Sequence, residues 1–180
     1  AFRIVVANYI KNNPSWEAQK IGEDYYAVKE ELEKIFDVDS PQKKEHLPLT
    51  AFKEIAAKYD IESEEHLLEA LHALGISLWY KDMPEFDSII LNPEWISYGV
   101  YAIINWVSNQ EKHSVSLSDF PKIFQKPVDK NRYPDEKCYR FFANLMEHYE
   151  LAYLTKNHSQ YIIPHLLKED RPQNLPDFPV

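Results

Sequence analysis

The chain has 180 residues, enough to bury a real core as one large or two small domains, and its single cysteine rules out an internal disulfide framework or a cysteine-based zinc site. Twenty basic against 29 acidic residues leave a formal net charge of -9, which opposes binding to a phosphate backbone or an anionic membrane surface. No apolar run reaches the roughly 20 residues of a membrane span. The three glycines, Gly22, Gly75 and Gly99, are not spaced as a phosphate loop and none precedes a lysine as a P-loop requires. Nucleotide hydrolysis on this chain alone is therefore not expected.

In chain order, Ile21, Tyr25, Val28, Leu32 and Ile35 recur at alternating spacings of four and three, which predicts one helix over Pro14–Phe36, capped by Asn13. Asp37–His46 has no apolar period and reads as a loop. Phe52, Ile55, Ala56 and Tyr59 predict a short helix. A second follows, capped by Ser63, lined by Leu67, Leu68, Leu71 and Leu74 and stopped by Gly75. Ile76–Tyr80 and Ser88–Leu91 then read as a hairpin with a long tip.

Asn92 and Pro93 open the next helix, expected to run to Gln110. Its apolar girth is unusually wide, with Ile96, Val100, Ile103, Ile104 and Val107 on one side and Trp95, Tyr98, Ala102 and Trp106 on another. Such a helix must be buried on both faces or covered by a partner. Ser116–Phe124 predicts a short helix, tolerating Pro121 only in its first turn. Pro134 opens a helix whose Cys138, Phe142, Leu145 and Tyr149 share a stripe, and a second hairpin joins Leu151–Thr155 to Gln160–Ile163.

The order helix, helix, hairpin thus occurs twice. Gly75-Ile76-Ser77-Leu78-Trp79-Tyr80 aligns with Glu150-Leu151-Ala152-Tyr153-Leu154-Thr155, and Ile89-Ile90-Leu91-Asn92-Pro93 with Tyr161-Ile162-Ile163-Pro164. The expected fold is mainly α within the α+β class: two winged-helix-like modules with a long N-terminal helix and a bridging helix. The expected segments are a connector at 1–12, a first module with the bridging helix at 13–110, a second module at 111–168, and a proline-rich linker at 169–180.

The residues Leu71-His72-Ala73-Leu74-Gly75-Ile76 leading into Trp79-Tyr80, then Ile90-Leu91-Asn92-Pro93-Glu94-Trp95-Ile96, Val115-Ser116-Leu117-Ser118-Asp119-Phe120 and Tyr161-Ile162-Ile163-Pro164-His165-Leu166-Leu167 resemble the COR region of Roco proteins. That region follows the Ras-like Roc GTPase domain, and the resemblance covers its N-terminal half, COR-A. Leu71, His72, Gly75, Pro93, Trp95 and Pro164 are its anchors. Asn92 stands where the family often has an acid, but either residue caps a helix.

The resemblance implies a non-catalytic scaffold that packs on its own Roc domain and couples nucleotide state to dimerisation or to downstream domains. It implies no cofactor in this chain, with GTP or GDP and Mg on the absent Roc domain. The implied partners are that Roc domain and the COR-B half, within a cytoplasmic homodimeric parent, with no nucleic acid and no membrane insertion. Phe2–Ile10 is similar to the end of the last GTPase helix or to the connector from it. Candidate residues for the GTPase contact are Trp95 and Tyr98 on the wide helix and Lys137, Tyr139 and Arg140 on the face of their helix away from Phe142 and Leu145. Burial between two modules is the competing reading for the aromatics, and a solvated helix face for the charged group.

The alternative function is an independent winged-helix regulator of DNA or of a protein partner. Charge argues against the DNA form: the first candidate recognition helix carries Glu64, Glu65 and Glu69 and no Lys or Arg, and in the second Lys137 and Arg140 are offset by Asp135, Glu136, Glu147 and Glu150. For metal, His66 and His72 are six apart and face different directions on their helix. For catalysis, His148 lies ten residues from Cys138, beyond reach on a straight helix, so the cysteine reads as core.

Overall fold

A computed structural model describes residues 23–36, 44–126 and 132–167. The expected connector at 1–12, the start of the first helix, most of the expected loop at 37–46 and the linker at 169–180 lie outside them. Among the described residues the protein is mainly helical, with two small antiparallel sheets. Contacts divide it into two compact units, one of the residues up to Trp79 with Ser88–Asn92, the other of Tyr80–Asp87 and the residues from Pro93 onward.

The first unit begins with helix α1 (Glu23–Ile35), where Val28 and Leu32 are buried and Tyr25 and Ile35 pack beside them as the spacing predicts. Strand β1 (His46–Pro48) leads directly into α2 (Leu49–Ala57), which buries Phe52, Ile55 and Ala56. Helix α3 (Glu64–Ala73) is capped by Ser63, whose hydroxyl accepts from the His66 N–H at 3.3 Å. It buries Leu67, Leu68 and Leu71, while Leu74 falls at the helix end and is exposed. Strand β2 (Ser88–Ile90) pairs antiparallel with β1 and is bridged on its other side by Leu78. Carboxylate Glu31 ties α1 to the end of α2, accepting from Lys58 at 2.6 Å and from the Tyr59 hydroxyl at 3.0 Å.

The expected first hairpin is thus reduced to one bridge. Its tip contains a short 3-10 turn (Pro84–Phe86), and Asp87 leaves that turn at φ 43°. The principal partner of β2 is β1, a strand absent from the sequence reading because three residues ending in proline show no alternation.

The second unit is built on α4 (Pro93–Asn109), which packs there although the sequence reading places it at the end of segment 13–110. Its buried line is Trp95, Gly99, Ile103 and Val107, one residue every four. Strand β3 (Ser114–Val115) is followed by a 3-10 turn (Leu117–Asp119) that opens α5 (Phe120–Ile123). Ser116 and Asp119 close a capping box there, and Pro121 sits in the first turn. Helix α6 (Glu136–His148) is capped by Asp135, whose carboxylate accepts from the Cys138 N–H at 3.0 Å, so it starts two residues after Pro134. It buries Cys138, Phe141, Phe142, Ala143, Leu145 and Met146; Tyr149, expected inside, is exposed. Strands β4 (Tyr153–Leu154) and β5 (Tyr161–Ile162) complete a sheet ordered β3-β5-β4.

Both units run strand, helix, helix and then return to a closing strand: β5 lies between β3 and β4, while β2 pairs with β1 and meets Leu78 in a single bridge, and the likeness reaches individual hydrogen bonds. At the end of α3 the N–H groups of Gly75, Ile76 and Ser77 donate to His72, Leu71 and Leu71; at the end of α6 those of Glu150, Leu151 and Ala152 donate to Glu147, Met146 and Met146. Gly75 (φ 67°) and Glu150 (φ 56°) are both left-handed, as this helix ending requires. Leu91 donates to the carbonyl of Glu45 at 2.9 Å and Ile163 to that of His113 at 2.8 Å. These pairs follow the sequence alignment of the two halves residue for residue.

Candidate interaction surfaces

Trp95 is fully buried. Its indole N–H donates to the Arg132 carbonyl at 2.9 Å, and the buried Tyr133 hydroxyl donates back to the Trp95 carbonyl at 2.8 Å. Phe86, Tyr133, Phe141 and Phe142 surround the indole with ring centroids 4.9–5.9 Å away. Burying an aromatic of this size is worth on the order of 4–6 kcal/mol. Offering the ring to a partner would forfeit that, so Trp95 organises the unit from within and is not itself a contact surface.

Tyr98, nearly one turn on, lies beside Trp95 at the solvent edge of the helix. Its ring is 46% exposed and carries the Arg132 guanidinium 4.8 Å from its centroid. Together with Tyr101, Ala102, Asn105, Trp106 and Asn109 it forms the α4 wall of a half-open groove of about 330 Å³. The opposite wall comes from Lys122, Ile123, Gln125 and Lys126. Lys112 lies 5.7 Å over the Trp106 ring.

Asp119 sits behind Lys122. Burial pushes its carboxyl up, but hydrogen bonds from the Ser116 hydroxyl and N–H and from Lys122 outweigh burial and hold it below the usual carboxylate range.

The α6 candidates lie apart from this groove, and none of them lines it. Lys137 is exposed. Arg140 is exposed and paired with Glu136 at 2.6 Å one turn back, a solvated pair that contributes little to stability. Tyr139 is half-buried, with its ring 5.7 Å from Phe120 and 5.9 Å from Phe124. Burial raises its hydroxyl pKa.

Cys138 is core as expected, and burial pushes its thiol up to about 12, which leaves no thiolate for nucleophilic work at neutral pH. His72 is exposed, and its Nδ1 accepts from the Trp79 N–H at 3.0 Å. The remaining anchors are structural: Leu71 is core, Gly75 makes the left-handed turn, and Pro93 and Pro164 each start a helical turn. Neither Gly75 nor Gly99 opens a helix where a phosphate could sit. Among the described residues no three His, Cys, Asp or Glu side chains gather around a metal-sized space, and no helix is long and apolar enough to cross a membrane.

The sequence reading missed the groove's second wall and its cations. The available signal was the stripe Tyr98, Tyr101, Asn105 and Asn109, which follows helical spacing along a side of α4 distinct from the buried line Trp95, Gly99, Ile103 and Val107.

These elements define a mainly helical α+β protein of two strand-edged units, one with an aromatic and basic groove. The chain matches the family described as C-terminal of Roc, COR-A domain, over residues 22–167. It belongs to the COR-A family. No curated protein sequence matches it. Among solved structures, it resembles Methanosarcina barkeri Roco2 RocCORdC bound to GDP, with a TM-score of 0.65 and 24% identity over 81% of this chain. The chain spans 44% of the length of that one.

Proposed function

We propose that this chain is the COR-A scaffold of a Roco protein, packing on the adjacent Roc GTPase domain and relaying its nucleotide state to dimerisation or to further domains. The observation that carries this reading is the family match over residues 22–167. The rigid aromatic core around Trp95 supports it, because a relay must transmit a displacement and not absorb it. GTP or GDP and Mg would be held by the Roc domain, and the working unit would be a cytoplasmic homodimer that includes a COR-B half. Tyr98, Lys137, Tyr139 and Arg140 are the exposed or half-exposed candidates for the Roc contact, with the charged pair setting orientation more than affinity.

The strand, helix, helix and closing strand of each unit are similar to the order of winged-helix modules, which favours a second reading as a winged-helix regulator. Its DNA-binding form is opposed by α3, whose exposed residues include Glu65 and Glu69 and no cation. Electrophoretic retardation at low salt separates the readings, since an acidic scaffold leaves DNA unshifted.

The direct test is calorimetric titration of the chain into a separately prepared Roc domain loaded with GDP or with a non-hydrolysable GTP analogue. A difference in affinity of about fivefold or more is expected between the two loadings. Equal affinities, or no binding to either, refute the relay.

A further inference from the structure

We propose that the groove between α4 and α5 is a docking site for an extended acidic segment of a partner protein. The inference goes beyond the Roc relay and does not depend on it. The groove's composition is unlike that of the chain around it. The protein carries a net charge of -9, yet none of the described residues lining the groove is acidic. Lys122 and Lys126 stand on one wall, while Arg132 and Lys112 lie over Tyr98 and Trp106 of the other. Lys122 is partly answered by Asp119 at 3.2 Å; Lys126 has no acidic partner among the described residues. A basic rim on an acidic protein is complementary to a short acidic ligand.

The walls favour an extended peptide over a nucleotide or a helix. Asn105 and Asn109 are one turn apart on α4, about 6 Å along its axis. Alternate residues of an extended or polyproline chain repeat every 6–7 Å or so, so each amide can meet one peptide group of such a strand. No hydrogen bond among the described residues occupies either amide. The exposed Tyr101 ring and the face of Tyr98 away from Arg132 lie at one end of this row and offer flat apolar faces to leucine or proline side chains. The α4 wall is mid-helix, where backbone N–H groups are already used, so it offers a nucleotide none of the backbone phosphate donors of a helix N-terminus. A long polyanion such as RNA would also meet the repulsion of the whole acidic surface.

The test uses the whole chain and three fluorescein-labelled nine-residue probes in fluorescence anisotropy at physiological salt. The first alternates Glu and Asp with Leu and Pro; the second replaces its acids with Lys; the third is a nine-nucleotide poly-uridine RNA. The acidic peptide is expected to bind with a Kd below ~100 μM and at least about tenfold more tightly than the basic one. Lys126→Glu with Asn105→Ala is expected to weaken it about tenfold or more, with the circular dichroism unchanged because both side chains are exposed. Three results overturn the proposal: no acidic-peptide binding at ~1 mM, RNA binding as tight as the peptide, or peptide binding unaffected by the double substitution. Concentration-dependent self-association lost on Tyr101→Glu would likewise overturn it, by assigning the face to a second copy. None of these outcomes bears on the Roc titration, so the two readings fail separately.

Discussion

Gly99 is where α4 receives the Phe142 ring of α6, and substituting it tests how tightly the aromatic core is packed. A β-carbon added there would overlap the Cζ and Cε1 atoms of Phe142. The Phe142 ring has little room to retreat. It is fully buried, with Trp95 at 4.9 Å, Tyr133 at 5.3 Å, Phe141 at 5.5 Å and Phe124 at 6.2 Å between centroids. Two effects oppose each other in Gly99→Ala. Helix propensity favours alanine by about 1 kcal/mol in a helix interior. Overpacking a filled core costs about 1–3 kcal/mol, and a ring boxed by four others belongs at the upper end. The net expectation is a loss of about 1–2 kcal/mol, read as a lower urea midpoint by far-UV circular dichroism or a fall of about 2–8 °C in Tm. Shrinking the ring with Phe142→Leu should make Gly99→Ala less harmful in the double substitution than in the parent, the coupling expected of residues in contact. A Gly99→Ala protein at least as stable as the parent refutes the packing argument.

Three further expectations follow from the repeat and from α1. The Ser77 hydroxyl is fully buried without a hydrogen-bond partner among the described residues, and its counterpart is Ala152; Ser77→Ala should raise stability by about 1 kcal/mol by urea denaturation, and a loss would show an unseen partner. Glu150 holds a left-handed turn that Gly75 holds in the first unit, so Glu150→Gly should be neutral to stabilising by up to ~1 kcal/mol, while Gly75→Ala should cost about 1 kcal/mol; melting curves in which these signs are reversed would refute the equivalence. The hydrogen bond from Lys58, joined by that from Tyr59, holds Glu31 below the ordinary glutamate value of 4.5. Its contribution is therefore fully present above that value and lost as pH falls through the lower folded pKa. Glu31→Gln should flatten the acid limb of the stability profile below about pH 5 and leave the profile shape above pH 6 unchanged. An acid limb unchanged by the substitution would show that the three-residue tie is not formed in solution.

Legibility in the sequence tracked the length over which a pattern was repeated. Helices α1, α3 and α6 carry their apolar stripes through two turns or more, and their caps Ser63 and Asp135 are side chains whose chemistry is local. Strands β1 and β3 have three and two residues and no period, so nothing but their partners β2 and β5 marks them as strands. The fate of α4 was the hardest to foresee. A helix apolar around its girth must hide one side, but composition does not say which.

The amino-acid sequence alone determined the class of the protein, the order of its helices, the doubled segment and the family, because each depends on neighbours within a few residues along the chain. Tertiary structure decided that Trp95 is sealed inside while Tyr98 faces out, because only Gly99 lets the α6 ring press against one side of α4. It likewise decided that cations from three separate segments, at Lys112, Lys122 with Lys126, and Arg132, gather around one aromatic wall. That gathering depends on distances through space between residues far apart in sequence, which no local pattern encodes.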